Sequence, residues 1–185
     1  MLKMYLTMLP VILAGIFNMI FVKTNFYKDH NYPIDCFKNF KDGKRIFGDN
    51  KTYIGFFSMI IFSTLFQCAF GYIYHNFDIS VDTYLYYDNT FLFNTFIGFL
   101  YGFTYMISEL PNSFIKRRIG IPPGKTTNKL FFVVDQFDSI VGVMFILYLF
   151  SGISISRYLC YVFIGGVTHL MINTVLLKIK IRRNL

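Results

Sequence analysis

The chain has 185 residues, enough for one domain, with 55% hydrophobic and 15% charged residues and a formal net charge of +8. Its apolar residues lie in long runs rather than amphipathic stripes, which excludes an ordinary soluble fold and indicates a membrane protein. The basic excess sits in short segments beside those runs, so it points to the bilayer surface and anionic cytoplasmic substrates, with no nucleic acid.

In chain order, the first predicted span covers Leu2–Val22, is interrupted by Pro10, and lacks a small-residue cleavage site, so it reads as a retained helix. A loop follows, containing Pro33–Thr52, PIDCFKNFKDGKRIFGDNKT, in which Asp35, Asp42 and Asp49 interleave with lysines and Arg45. Asp42-Gly43 and Asp49-Asn50 mark turns there, and successive turn amides with Lys and Thr can form an anion-binding concavity. A charge-balanced connector would have the same composition. The remaining spans are Tyr53–Phe77, Phe91–Leu110, Leu130–Phe150 and Arg157–Leu177. The expected architecture is therefore all-α: one domain, residues 1–185, built as a bundle of about five transmembrane helices with two basic loops.

Of the 18 Lys and Arg, all but Lys3 and Arg157 fall on the first loop, the third loop or the C-terminal tail, which share one side of a five-span protein. The second loop has Asp78, Asp82 and Asp88 but no Lys or Arg. The positive-inside rule then puts the N-terminus outside and the two long loops and C-terminus in the cytoplasm. Cys36, Cys68 and Cys160 are isolated, giving neither a disulfide framework nor a zinc site, and Cys68 and Cys160 are expected to pack between helices.

The chemistry concentrates between Glu109 and Gly142. Glu109 lies at the cytoplasmic end of span three, and Asp135 and Asp138 lie at i and i+3 in the first turns of span four, on one helical face with Gly142. Ionisable groups at a membrane boundary are costly unless paired and usually serve function. Carboxylates at one depth suit magnesium, which takes one or two of them together with substrate phosphates. Lys116, Arg117 and Arg118 between them can hold phosphate oxygens, Arg by its bidentate fork. The aspartates could instead simply neutralise that basic run.

Two shorter patterns fail. Gly120–Thr126, GIPPGKT, is one residue short of a P-loop and follows a membrane span rather than a strand. Asp42-Gly43 opens like the CDP-alcohol phosphotransferase signature, but Ala-Arg and the later spaced aspartates are missing. His169 and Asn173 share a face of span five at i, i+4, as interhelical hydrogen-bonding partners would, and Gly98 and Gly102 form a GxxxG spacing for close helix packing.

Three blocks together resemble the CDP-archaeol synthase family, a branch of the membrane CTP-dependent cytidylyltransferases related to phosphatidate cytidylyltransferase: Pro33–Thr52; Ser113–Gly124 followed by Asp135–Ser139 (SFIKRRIGIPPG, DQFDS); and the His169–Asn173 segment of the last span. The resemblance implies transfer of the cytidylyl group of CTP to an archaetidic- or phosphatidic-acid-like lipid phosphate, giving CDP-lipid and pyrophosphate with Mg2+. By the same resemblance Glu109, Asp135 and Asp138 bind the metal. Ser113, Lys116 and Arg117 contact phosphates, and Asp42, Arg45, Asp49, Lys51 and Thr52 complete the nucleotide side. Ser108-Glu109 stands where the family often has Gly-Asp, and Asn50 where it has Gly. The implied partners are CTP, the lipid phosphate and the bilayer, and a homodimer is compatible with such a chain. The competing reading is a non-catalytic membrane protein, either a transporter or an anionic-lipid-binding scaffold. The confinement of the acids to one interface and the lack of an internal repeat disfavour a transporter.

Overall fold

A computed structural model describes residues 1–85, 90–125 and 129–180. Asp88 and Thr126, named above, and Arg182 and Arg183 of the basic C-terminal tail lie outside these residues. Among the described residues six α-helices form: α1 (Leu2–Phe21), α2 (Asn25–Asp29), α3 (Tyr53–Asn76), α4 (Phe91–Arg118), α5 (Lys129–Ser151) and α6 (Ile155–Lys178), with a 3-10 turn at Ile79–Asp82. All but α2 are long and apolar enough to cross a bilayer, which makes this a multi-pass membrane protein.

Hydroxyl caps set several of the helix starts. Thr52 Oγ1 accepts from the Gly55 amide at 3.2 Å, and Thr90 and Ser154 do the same for the amides three residues on. Such a cap stabilises a helix start by about 1 kcal/mol.

The largest departure from the sequence reading is at α4. The third span was expected to stop at Leu110, with Lys116–Arg118 in a loop; instead the helix runs through Pro111 to Arg118. Pro111 removes one backbone hydrogen bond, which membrane helices tolerate. Three cations in the last turn also favour the negative end of the helix dipole. Gly120, at φ +81°, then turns the chain away.

Helices α3 and α4 pack most extensively, then α4 with α5, α1 with α3, and α5 with α6. The Gly98–Gly102 spacing explains the first of these contacts. A Cβ at Gly98 would lie 2.6 Å from Thr64 Cα, and one at Gly102 would lie 2.5 Å from Ile60 Cα. Gly142 does the same for α4 and α5, since its Cβ would meet Ser108 Oγ at 2.1 Å. The core between the helices is made by Met4, Met8, Met59, Ile97, Tyr101 and Leu147, while Phe57, Leu65, Phe163 and Met171 point outward as a lipid-facing surface would. Cys68 is half-buried and lies 3.3 Å from Thr95 Oγ1, but Cys160 is exposed rather than packed between helices.

An elongated cavity of about 480 Å³ lies between α1, α4, α5 and α6. Its lining along α1 and its C-terminal cap extends from Met4 to Val22, roughly 27 Å at 1.5 Å per residue. Where α1 and α6 flank the cavity they are bridged by Tyr5 Oη and Thr168 Oγ1 at 2.9 Å. One end is apolar, lined by Met4 and Met8, and the other meets Lys51, Glu109 and Asp135.

Candidate active site at the mouth of the cavity

The extended α4 presents two adjacent faces. Glu109, Asn112 and Lys116 follow one another at i, i+3 and i+7, and Ser113 and Arg117 share the neighbouring row at i, i+4. Asp135 and Asp138 face the first row from α5. Lys116 Nζ donates to both Asp135 oxygens, at 2.9 and 2.7 Å. Asn112 Nδ2 donates to Asp135 Oδ1 at 2.6 Å and to Asp138 Oδ2 at 2.8 Å, joining the two carboxylates through one amide. The Ser139 amide donates to Asp138 Oδ1 at 2.7 Å. Among the described residues no three His, Cys, Asp or Glu side chains converge as a ready metal cluster. Glu109 is engaged instead by Lys51 from the first loop.

Lys51 makes the link between the two sequence blocks. Its side chain is only 12% exposed, and that burial lowers its pKa; Glu109, with Asp138 and Asp135 behind it, more than reverses this and holds the ammonium above the ordinary lysine value. A positive charge therefore already sits where the fields of all three predicted metal-binding carboxylates overlap. Hard oxygen donors, with cations gathered against them, fit a divalent ion such as magnesium.

The first loop is organised around a residue that the sequence reading mentioned but gave no role. The Asp35 side chain is fully buried. Its carboxylate accepts from Arg45 Nη2 at 2.6 Å and Nε at 3.2 Å, and from the amides of Phe37, Phe47 and Gly48 at 3.2, 3.0 and 2.9 Å. Burial pushes its pKa up, but the Arg45 fork and the Gly48 and Phe47 amides outweigh that and bring it down to about 2. Arg45 reaches on to Asp49 at 2.7 Å, and its own pKa is raised by the Asp35 hydrogen bond. The isolated bridges Pro33–Thr52 and Asn39–Arg45 close the loop on itself.

Arg118 bolts this loop to α4. Its Nε lies 2.7 Å from Asp42, its Nη2 donates to the carbonyls of Lys44 (3.0 Å) and Arg45, and its guanidinium stacks 4.4 Å over Phe114. Lys44 Nζ returns a bond of 2.6 Å to the Arg118 carbonyl. Gly48, at φ +99°, packs so close that a Cβ would lie 2.6 Å from Pro123 and 3.5 Å from Arg117 Nη1.

The predicted residues thus fall into two groups. Lys51, Glu109, Ser113, Lys116, Arg117, Asp135 and Asp138 surround the mouth of the cavity or lie on the helix faces that form it. Asp42, Arg45 and Asp49 hold the loop, and Thr52 caps α3 while its hydroxyl hydrogen-bonds the Tyr27 hydroxyl at 2.8 Å. Arg117 is buried, and among the described residues its Nε and Nη1, like those of Arg118, have no hydrogen-bond partner. Deeper in the cavity, His169 Nδ1 meets the Gln136 carbonyl at 3.1 Å, which makes Nδ1 the donor. Its Nε2 then accepts, facing Asn173 Nδ2 at 3.3 Å and the Tyr105 hydroxyl at 3.4 Å, and Asn173 donates to Gln136 Oε1 at 2.9 Å. Asn112, Asp35 and Gln136 had no site role in the sequence reading. Asn112 was detectable as the residue placed at i+3 from Glu109 and i−4 from Lys116.

A family model described as CarS-like CDP-archaeol synthase matches residues 1–184. The chain belongs to the CDP-archaeol synthase family. A CDP-archaeol synthase of Sulfurisphaera tokodaii is 32% identical over 81% of this chain and 79% of its own length. One from Pyrobaculum aerophilum is 29% identical over 82% and 80% respectively. A solved structure, described as an intramembrane enzyme for archaeal membrane lipid biosynthesis, shares the fold with a TM-score of 0.66 over 92% of both chains, at 19% identity. Membership in the family makes this chain an enzyme, a CTP-dependent lipid cytidylyltransferase, and the membrane bundle agrees with that class.

Proposed function

We propose that the protein transfers the cytidylyl group of CTP to a two-chain glyceryl phosphate lying in the cavity between α1, α4, α5 and α6. One observation carries this reading: Lys51, Glu109 and Asp135 line the polar end of a membrane-long apolar cavity, where Lys116 and Asn112 hydrogen-bond Asp135 and Asn112 ties in Asp138. The lipid chains occupy the apolar length, and the phosphate is held at the depth of Lys51 and Lys116. The N-terminus is outside and the first loop cytoplasmic, where CTP is available.

A lipid phosphate oxygen attacks the α-phosphorus of CTP. A new P–O–P linkage forms, the bond from the α-phosphorus to the oxygen bridging to the β-phosphorus breaks, and its electron pair leaves with pyrophosphate. Little proton movement is required, so positioning and neutralisation of charge supply most of the acceleration. Arg117 holds the triphosphate by its fork; Lys116 and Lys51 meet the charge that develops on the leaving oxygens. Ser113, one turn before Arg117, contacts the same phosphates. The loop bearing Asp42, Arg45 and Asp49 holds Lys51 in place and closes over the nucleotide. Mg2+ would be held by Asp135 and Asp138, with Glu109 paired to Lys51 beside them, and would neutralise phosphate charge and align the two substrates.

Purified protein incubated with labelled CTP, Mg2+ and separate ether-linked isoprenoid and ester-linked acyl glyceryl phosphates should yield labelled CDP-lipid from at least one. No product from any phosphate lipid overturns the reading. The tail cavity has its own test. Gly15 lines it, and a Cβ there meets nothing within 4 Å. Gly15→Trp should raise KM for lipid about tenfold, the effect of losing roughly 1–2 kcal/mol of apolar contact, and leave KM for CTP unchanged.

A further inference from the structure

On the reading of Asp135 and Asp138 as the metal-binding pair, the acidic side chains alone leave the ion short of protein oxygens. Among the described residues no third acid or histidine converges with them, and Glu109 is held by Lys51. The Asn112 amide hydrogen-bonds both aspartates. It is 7% exposed, and both protons of its Nδ2 are used, one on each aspartate. Its Oδ1 is buried with no hydrogen-bond partner among the described residues. An orphaned amide oxygen costs about 1–3 kcal/mol, which a helix facing two carboxylates has no structural need to bear. We infer that Asn112 is a third oxygen donor of the metal site, its amide exchanging ends when the ion binds.

The physical reason is the sign of charge between the aspartates. Without an ion, two carboxylates on one helix face repel, and the positive end of the amide dipole bridges them. With a divalent cation between them, the same NH2 group is repelled and the carbonyl oxygen attracted. Rotation of the amide by a half turn satisfies both changes and gives the orphaned oxygen a partner. Asn112 thereby ties Asp135 to Asp138 before the ion arrives and contributes an oxygen ligand afterwards, a positioning and then a binding role.

The test is Mn2+ titration of purified protein, followed by electron paramagnetic resonance and competed with Mg2+, for the wild type, Asn112→Ala and Asn112→Asp. Asp has nearly the same shape and offers only oxygens. The expected result is saturable binding to the wild type, weakened about tenfold or more in Asn112→Ala and equal or tighter in Asn112→Asp. Equal binding by wild type and Asn112→Ala overturns the inference, and so does loss of binding in Asn112→Asp. Asn112→Asp should also melt at lower temperature than wild type in chelator, because three carboxylates then face one another, and recover on adding Mg2+. No such recovery overturns the inference as well. If the wild type itself binds no Mn2+ saturably, the metal reading of the two aspartates fails, and this inference fails with it.

Discussion

The Pro33–Thr52 loop and the α4–α5 junction carry similar charges and dispose of them differently. In the loop, the Asp35 carboxylate is filled by the Arg45 fork and three amides, and Asp42 and Asp49 are taken by Arg118 and Arg45. At the junction, Arg117 Nε and Nη1 and Asn112 Oδ1 are buried without hydrogen-bond partners among the described residues; Arg118 Nε and Nη1 share that state, but Arg118 is ion-paired with Asp42. Desolvating a polar group and leaving it unmatched is expensive, so a protein keeps such groups where a ligand will complete them. The contrast separates a loop whose carboxylates are matched within the fold from a junction that keeps unmatched polar atoms, which the proposed function assigns to substrate.

The largest effect expected from breaking this contrast is at the aspartates. Asp135→Asn should reduce CDP-lipid formation by about 10³-fold or more while the protein still inserts and melts cooperatively, as loss of a charge acting directly on the reacting phosphates would. Survival of activity would remove Asp135 from the site. Next is Arg117→Ala, which gives up no internal hydrogen bond through Nε or Nη1; a loss of about 10²-fold in kcat/KM for CTP with little change in melting temperature is expected. A large fall in stability instead would return Arg117 to the structural class.

Asp35→Asn should behave in the opposite way. Breaking a buried ion pair destabilises by roughly 3 kcal/mol, so thermal stability should drop well before any effect on chemistry at permissive temperature is seen. The pH dependence follows from the same group. Asp35 is held down to about 2, so its stabilising contribution is fully present above the ordinary carboxylate pKa near 4 and fades as pH falls from there through 2. Melting of the wild type should show this acid limb, and Asp35→Asn should flatten it. The smallest effect is at Gly48, where Ala adds a clash with Pro123 at a positive φ; a loss of roughly 1–2 kcal/mol and a modest rise in KM for CTP are expected.

How much could be read in advance depended on the range of the interaction. The five spans, the clustering of Lys and Arg at three segments, and the i, i+3 placement of Asp135 and Asp138 are local or compositional, and they were legible. The Gly98–Gly102 spacing likewise announced a close helix contact, though not that α3 would make it. The end of α4 was misread because Pro111 and the charges after it look like a boundary in sequence, whereas a helix end with cations on its last turn is stable. The fully buried state of Asp35 was not legible, since three interleaved aspartates in one loop look equivalent until the backbone folds around one of them. Nothing local distinguished Arg117 from Arg118 either.

Sequence alone therefore determined that this protein crosses a membrane five times, which ends of its helices carry charge, and to which family it is similar, because hydropathy, helical period and motif spacing are properties of neighbouring residues. Only the tertiary structure decided that Arg118 joins the loop while Arg117 is buried beside it, and that Lys51 meets Glu109 across 58 residues. It also decided that Asn112 spans the two aspartates. These are pairings between helices and loops distant in sequence, and they are selected by packing and by the cost of burying an unmatched charge, neither of which a single segment can express.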